Sequence, residues 1–199
     1  MATEPRRRLF TVDEYYRMGD VGIFNGNNRV ELIDGEIVEM SPIGSPHAAV
    51  VDRLNVLLQP LLRARAIVRV QNPIRLDVYS EPQPDLSILK FRTDFYRSAH
   101  PTPADILLVV EVADTSLRYD RQIKIPLYAG AGIPEVWLVD VDAEQIEVFT
   151  HPPASPDRAE QVERAQGYRE KRQVRRGEQI RSDALFGANL EVDEILGRE

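Results

Sequence analysis

The sequence predicts an α/β fold in which helices cover a central mixed β-sheet. Residues 106–112 form an almost continuous apolar run, which is typical of a central strand covered on both faces. A helical apolar pattern and several strand-like segments precede this run, and a second helical pattern with two more strands follows it. The chain has 199 residues, enough for one domain of ordinary size, so we expect residues 1–199 to fold as a single domain.

The composition excludes several classes of protein. With 43% hydrophobic and 29% charged residues, the chain has the make-up of a soluble globular protein. No apolar run approaches the ~20 residues of a membrane helix, and polar residues follow Leu9-Phe10 where a secretory signal would stay apolar. The absence of cysteine rules out thiolate catalysis and Cys-ligated metal centres. We therefore expect a cytoplasmic protein with no membrane partner.

The first predicted elements are a helix, a hairpin and a second helix. Thr11-Val12-Asp13-Glu14 has the form of a capping box, which predicts a short helix that Gly19 can end. Asp34-Gly35 between two apolar-rich runs is the strongest short-range signal for a two-residue β-hairpin. Ser45-Pro46 supplies an N-cap and a proline for the first helical position, and Pro60 should kink or shorten this helix. The apolar face of the helix consists of Val50, Leu54, Leu57, Leu58 and Leu61.

The remaining elements alternate between strands and helices. Strand-like segments cover residues 66–70, 74–79 and 85–89, and a loop with two prolines covers residues 92–103. After the apolar run, a helix is predicted over residues 118–128, with glycines at 130 and 132, then strands over residues 136–140 and 146–149. A loop is predicted over residues 151–157, peripheral strands over residues 168–174 and 178–180, and a terminal helical turn over residues 192–196.

Two acidic residues and a lysine are the main candidates for chemistry. Glu111 lies in the middle of the most hydrophobic segment, where an ionised carboxylate is costly unless it is paired or binds a metal. Asp85 follows Pro84 at the start of a neighbouring predicted strand. Two carboxylates at the same level of adjacent strands can hold Mg²⁺ or Mn²⁺ and leave positions for water and a phosphate. Lys124, four residues after Asp120 on the next helix, could stabilise the charge of the transition state.

Each of these residues also has a purely structural interpretation. Asp85 could simply open a strand after proline, and Glu111 could form a buried ion pair with Arg75 or Arg118. Lys124 could be an exposed helix residue that pairs with Asp120 at i,i+4.

Two further residues are weaker candidates. His47, near the start of the second helix, could support the site or face a phosphate, or it could be a core or capping histidine. Glu31 could be a third acid of a metal site, or it could face solvent on its hairpin strand. The basic residues between 169 and 176 could contact phosphates, but acidic neighbours favour a solvated strand face.

A longer string of motifs resembles one family over about residues 10–149. The segments are residues 31–37, Ser41-Pro42 with His47, residues 84–87, 110–116, Tyr119-Asp120 with Lys124, Leu127-Tyr128, and residues 131–135 and 137–140. Together they resemble the Uma2 family. The resemblance implies a restriction-endonuclease-like sandwich of the PD-(D/E)xK superfamily, in which helices flank a central mixed β-sheet with extra β-hairpins. Its core would cover about residues 10–150. Residues 158–199 would add peripheral strands and the terminal helical turn.

The resemblance also implies roles for individual residues. Asp85 matches the metal-binding aspartate of the superfamily, and Glu111 matches its second acid. Ala113 stands where the E-x-K pattern would place a lysine, and it faces the same side of the strand as Glu111. The resemblance suggests that Lys124 takes this vacated role from the following helix. Beyond what the resemblance implies, we expect Glu31 and His47 to be auxiliary residues of the same site.

These observations predict a Mg²⁺- or Mn²⁺-dependent endonuclease that hydrolyses phosphodiester bonds. We expect a nucleic-acid partner, DNA in preference to RNA, and a homodimer, because nucleases that cut both strands often pair as two-fold dimers. The alternative is a catalytically inactive nuclease-fold protein that serves as a nucleic-acid-binding or assembly module. Ala113 and the net charge of −7 favour the alternative, whereas the joint presence of Asp85, Glu111 and Lys124 favours the enzyme.

Overall fold

The computed structural model describes residues 7–24, 29–153 and 167–197. The α-helices are α1 (Val12–Asp20), α2 (Ser45–Leu62), α3 (Leu117–Tyr119), α4 (Ile125–Gly130) and α5 (Val192–Leu196). The strands are β1 (Val30–Ile33), β2 (Glu36–Glu39), β3 (Ala66–Val70), β4 (Leu86–Lys90), β5 (Ile106–Ala113), β6 (Glu135–Asp140), β7 (Gln145–Thr150), β8 (Glu170–Arg175), β9 (Gln179–Ser182) and β10 (Ala188–Glu191). No helix in the described ranges is long and apolar enough to cross a membrane.

A six-stranded mixed sheet forms the centre of the fold, in the order β3-β4-β5-β6-β7-β8. Strands β5 and β6 pair in parallel, and all other neighbours in this sheet pair antiparallel. Two hairpins, β1-β2 and β9-β10, lie outside the sheet. The predicted α/β fold, with a central mixed sheet, flanking helices and extra hairpins, is therefore confirmed.

The central strand β5 separates two apolar layers. On one face, Val110 and Val112 belong to the core formed with α2, α5 and the β9-β10 hairpin. On the other face, Val109 and Ala113 belong to the core formed with α4. Because successive side chains of a strand point to opposite faces, Glu111 lies on the second face, with Val109 and Ala113. The prediction of a strand covered on both faces is confirmed.

The N-terminal helix and hairpin agree with their sequence signals. Thr11 is the N-cap of α1, and its side chain forms the predicted capping box with Glu14. Asp34 and Gly35 join β1 to β2 with φ angles of 49° and 79°, the left-handed values that a two-residue hairpin turn requires. A Cβ at position 35 would lie 2.6 Å from the Cβ of Leu9. This turn therefore needs glycine for both its conformation and its space.

The strand predicted over residues 74–79 is absent. The backbone N–H groups of Ile74, Arg75 and Leu76 donate to the carbonyls of Pro82, Pro101 and Ser80, so this segment is a loop that makes no regular ladder. Ile74 and Leu76 are nevertheless buried in the core. The alternation of apolar residues correctly predicts that these side chains are buried. A two-residue periodicity does not, however, require that the segment pairs as a strand.

The prediction is also wrong at the start of α2. The N-cap is Gly44, and Ser45 is already the first helical residue. A Cβ at position 44 would lie 3.0 Å from Asp114 Oδ2, so glycine lets the helix begin close to this carboxylate. Pro60 lies inside the helix, which ends soon after it, at Leu62.

Near the C-terminus, the predicted peripheral strands correspond to β8 and β9, and the terminal helical turn is α5. Strand β10 has no counterpart in the prediction. Of the loop predicted over residues 151–157, residues 154–157 lie outside the described residues.

The helix predicted over residues 118–128 is present but is not a regular α-helix. Between α3 and α4, Asp120–Lys124 form a π-helical turn. Pro126 follows this turn, and because proline lacks an N–H it cannot donate the hydrogen bond that an α-helix would require there. Asp120 and Lys124 are both buried, so this turn presents two charged side chains to the interior.

Candidate active site

The pairing of β4 with β5 brings Asp85 close to Glu111. Leu86 pairs with Val110 in antiparallel register, and extending this register by one residue places Asp85 opposite Glu111. Asp85 Oδ2 accepts a hydrogen bond from the backbone N–H of Val112 at 2.9 Å. Asp85, Glu111, Glu31, His47 and Lys124 all line one cavity of about 390 Å³. The structure therefore brings together all five residues that the sequence singled out.

Hydrogen bonds from three directions hold the Asp85 carboxylate. Besides the N–H of Val112, His47 Nε2 lies 3.0 Å from Oδ2, and Gln71 Nε2 donates to Oδ1 at 3.2 Å. Burial raises the pKa of Asp85, but these partners outweigh burial and hold the pKa below its ordinary value. The hydrogen bond to Asp85 in turn raises the pKa of His47. Asp85 is thus an oriented, ionised carboxylate at the cavity wall.

Lys124 connects two acids that come from different parts of the fold. Its Nζ lies 3.3 Å from Glu111 Oε1 and 3.2 Å from Glu31 Oε2. Glu111 Oε1 also accepts a hydrogen bond from the Tyr128 hydroxyl at 2.5 Å. Only 5% of Lys124, 3% of Glu111 and 2% of Glu31 is exposed. The structure thus buries a chain of charged groups between β5, the π turn and the β1-β2 hairpin.

The charges in this cluster are unbalanced. Burial raises the pKa of Glu111 to about 8 and outweighs the attraction of Lys124, which the repulsion from Asp120 and Asp85 partly offsets. Burial lowers the pKa of Lys124, but the attraction of Glu111, Glu31, Asp120 and Asp85 outweighs it and the net shift is upward. Lys124 is therefore charged, while the carboxylates around it exceed the positive charge available.

The structure contradicts the exposed-helix interpretation of Lys124, and it gives the buried ion pair of Glu111 a lysine in place of the expected arginine. Lys124 is not an exposed lysine paired with Asp120, because it is buried and its ion pairs go to Glu31 and Glu111. Arg75 pairs with Asp13, and Arg118 donates to Gln122, so neither arginine is the partner of Glu111.

Glu31 belongs to the cavity, whereas the basic strand β8 does not. Glu31 is buried, so the interpretation of this residue as solvent-facing is wrong. The residues that line the cavity include none from β8. Most side chains of β8 are exposed, as expected for a solvated strand face.

Three partners in the site were not recognised from the sequence. Tyr128 lies four residues after Lys124, and this helical spacing is the only signal that could have linked the two. The sequence predicts Asp120 as a helix-surface partner of Lys124 and as part of a family-like motif, yet it is buried, lines the cavity and accepts a hydrogen bond from Ser116 Oγ at 2.5 Å. Gln71 carries no sequence signal, because its role depends on the register of β3 against β4.

The donors of this site fit a hard divalent cation. Carboxylate oxygens such as those of Asp85 and Glu111 are the ligands that Mg²⁺ prefers. The raised pKa of Glu111 results from burial first and from the repulsion of Asp120 and Asp85 second, and a bound cation would favour its ionised form. Within residues 7–24, 29–153 and 167–197, no three His, Asp or Glu side chains are arranged to hold one metal ion. A cation bound here would therefore take one or two carboxylates from the chain and complete its shell with water or phosphate.

Comparisons with known proteins show the family and the fold. A family model described as "Uma2: Putative restriction endonuclease" matches residues 12–193. The crystal structure of a "putative nuclease belonging to DUF820" from Anabaena variabilis ATCC 29413 is similar, with a TM-score of 0.70 and 13% sequence identity. The similarity covers 94% of this chain and 97% of that one, and at such low identity it shows the fold alone. No curated protein matches the sequence.

Proposed function

This chain belongs to the Uma2 family, and from that premise we propose that it is a metal-dependent endonuclease that hydrolyses phosphodiester bonds in nucleic acid. The observation that carries the proposal is the convergence of Asp85, Glu111 and Lys124 in one cavity, with Lys124 Nζ 3.3 Å from Glu111 Oε1. Two carboxylates and an ammonium group are the complement that a hard cation and a phosphate need in a hydrolytic site.

Asp85 and Glu111 are the proposed ligands of Mg²⁺ or Mn²⁺. His47 and Gln71 fix both oxygens of Asp85, and Tyr128 fixes Glu111, so the two carboxylates are oriented before any ligand arrives. When bound, such a cation lowers the pKa of a water molecule and neutralises phosphate charge. The chain contributes the fixed geometry and a cavity recessed from bulk solvent.

Lys124 is proposed to act on the phosphate or on the attacking water. Ala113 faces the same side of β5 as Glu111 and leaves the position of the E-x-K lysine without an ammonium group. Lys124 supplies an ammonium group next to Glu111 from the π turn instead. A positive charge at this point would orient the nucleophile or stabilise the negative charge that develops on the phosphate.

A cleavage assay tests the proposal. We expect the wild-type protein to cut DNA with Mg²⁺ or Mn²⁺ and to stop when the metal is chelated, and we expect RNA to be cut less. Asp85→Asn should remove activity, whereas Glu36→Gln, which changes an exposed carboxylate of the same charge, should not. A protein that cuts neither DNA nor RNA with either metal would contradict the proposal.

The catalytically inactive binding or assembly module is the second candidate, and Ala113, which leaves the E-x-K lysine position empty, favours it. Among the described residues, the carboxylates that line the cavity are Glu31, Glu39, Asp85, Glu111, Asp114 and Asp120. In the same described lining, the arginine and lysine side chains are Arg29 and Lys124. Such a cavity repels phosphate unless a cation is bound. Nucleic-acid binding without cleavage, measured with and without Mn²⁺, would support this module, and sedimentation of the complex would test the expected homodimer.

A further inference from the structure

We propose that Glu31 is a positioning residue for Lys124 and does not bind the cation. The inference deepens the proposed function, because it explains how a lysine that comes from a helix is placed beside the strand carrying Glu111. It replaces the expectation that Glu31 is a third acid of the metal site.

Glu31 is fixed in place by the segment that leads to Asp85. The backbone N–H of Gln83 donates to Glu31 Oε2 at 3.1 Å, and the Gln83 side chain donates to the carbonyl of Val30 at 3.2 Å. One residue further along β1, the carbonyl of Leu32 accepts from the N–H of Glu81 at 2.8 Å. These bonds tie the β1-β2 hairpin to the residues just before Asp85, so Glu31 is held at a fixed place relative to the proposed metal ligands.

Lys124 needs such an anchor. A lysine at position 113 would share the rigid backbone of β5 with Glu111, but Lys124 reaches the site from the π turn through a flexible four-carbon stem. Glu111 also contacts the ammonium group, but as a proposed metal ligand it has a second partner to satisfy. Glu31 is the contact that holds Lys124 whether or not a cation is bound.

The same contacts argue against Glu31 as a ligand. Its Oε2 lies 3.2 Å from Lys124 Nζ and already accepts a hydrogen bond from the backbone N–H of Gln83. In the part of the chain that the structure describes, no three acidic or histidine side chains form a metal cluster, as a site containing Glu31, Asp85 and Glu111 would.

Lysine acylation followed by mass spectrometry tests the positioning role without any cleavage assay. The chain has three lysines, Lys90, Lys124 and Lys171, and Lys90 and Lys171 are exposed enough to serve as internal references. In the wild type, Lys124 should be the slowest to react. Glu31→Gln should speed its acylation by more than about tenfold while the two references stay unchanged.

The matched control is Glu36→Gln on the same hairpin, where the carboxylate is exposed, and it should leave Lys124 protected. Glu31→Asp keeps the charge and should restore part of the protection. If Lys124 stays equally protected in Glu31→Gln with an unchanged melting temperature, the inference is wrong.

Manganese affinity separates a positioning residue from a ligand. Glu31→Gln should bind Mn²⁺ within about twofold of the wild type and lower kcat by about 10²-fold with little change in KM. Asp85→Asn should lose the Mn²⁺ affinity. Equal losses of affinity in the two variants would make Glu31 a ligand and overturn the inference. A wild type that cuts nothing contradicts the proposed function instead, and the acylation result still decides the role of Glu31.

Discussion

At the scale of single residues, Glu111 sets the charge of the cavity. It is buried in the central strand, and its neighbours within the site include two further acids and only one lysine. The pKa of about 8 means that the metal-free folded protein retains a proton on Glu111 at neutral pH that the unfolded chain has lost. The residue is therefore a source of pH-dependent instability until a cation is bound, because burial outweighs the attraction of Lys124.

The variant Glu111→Gln tests this charge. Because the pKa of Glu111 is about 8 in the folded protein and 4.5 ordinarily, its stabilising contribution is complete below about pH 4.5 and is lost as the pH rises through 8. The slope can reach at most ~1.4 kcal/mol per pH unit for one proton. Glutamine does not titrate, so the free energy of unfolding of the variant should gain on the wild type across this window.

Denaturant titrations between pH 4 and pH 9, without metal, would measure this difference. Glu36→Gln is the control, because its carboxylate is exposed. Parallel curves for Glu111→Gln and the wild type would show that the Glu111 carboxyl titrates alike in the folded and unfolded chains.

Both removal and replacement of the Lys124 ammonium group should impair the protein. Lys124→Met removes the buried cation that contacts both Glu31 and Glu111, which should cost about 3–5 kcal/mol of unfolding free energy. Lys124→Arg keeps the charge, but a planar guanidinium cannot take the place of a compact ammonium, so metal-dependent cleavage should fall by ~10²–10³. Chemical denaturation and cleavage rates check the two parts, and an arginine variant with wild-type rates would remove Lys124 from the chemistry.

At the scale of elements, the β1-β2 hairpin and the π turn place the two partners of one buried ion pair, Glu31 and Lys124. The hairpin carries Glu31, and its turn is pressed against the N-terminal segment, where the N–H of Phe10 donates to the carbonyl of Gly35. The π turn carries Lys124 itself. A disturbance of either element should therefore move one partner of the buried ion pair.

Gly35→Ala tests the hairpin. Alanine at φ 79° is strained, and its Cβ would also lie 2.6 Å from Leu9 Cβ, so Leu9 must shift. We expect a loss of about 2–4 kcal/mol in unfolding free energy. Gly132→Ala is the matched control, since its φ is 76° but nothing lies within 4 Å of the new Cβ, and it should lose only about 1 kcal/mol. Equal losses of unfolding free energy in the two variants would mean that the clash with Leu9 adds nothing to the strain of the turn.

At the scale of the whole molecule, cation binding should appear as stability. A ligand that binds only the folded state at 100 times its Kd adds about 2.7 kcal/mol to the unfolding free energy. Mn²⁺ should therefore raise the melting temperature of the wild type, and Asp85→Asn and Glu111→Gln should gain much less. Calorimetry would measure these shifts, and we expect one cooperative transition if the chain folds as a single domain. Equal shifts in all three proteins would exclude Asp85 and Glu111 as ligands.

The sequence by itself determined the elements whose causes are local. The capping box at Thr11, the Asp34-Gly35 turn and the apolar run around Glu111 each depend on residues within a few positions of one another. Asp85 and Glu111 were also paired correctly, because their strands are consecutive in the sequence and consecutive strands often lie next to each other in a sheet.

Only the tertiary structure decided how the site is completed. Glu31 and Gln83 are 52 residues apart, Glu111 and Tyr128 are 17 apart, and no periodicity in the sequence connects such pairs. The loop at residues 74–79 and the π turn also departed from their patterns, because long-range hydrogen bonds and Pro126 overrode local propensity. The sequence thus identified which side chains could do chemistry, whereas contacts between distant segments decided which of them touch, since burial and charge pairing act across space and not along the chain.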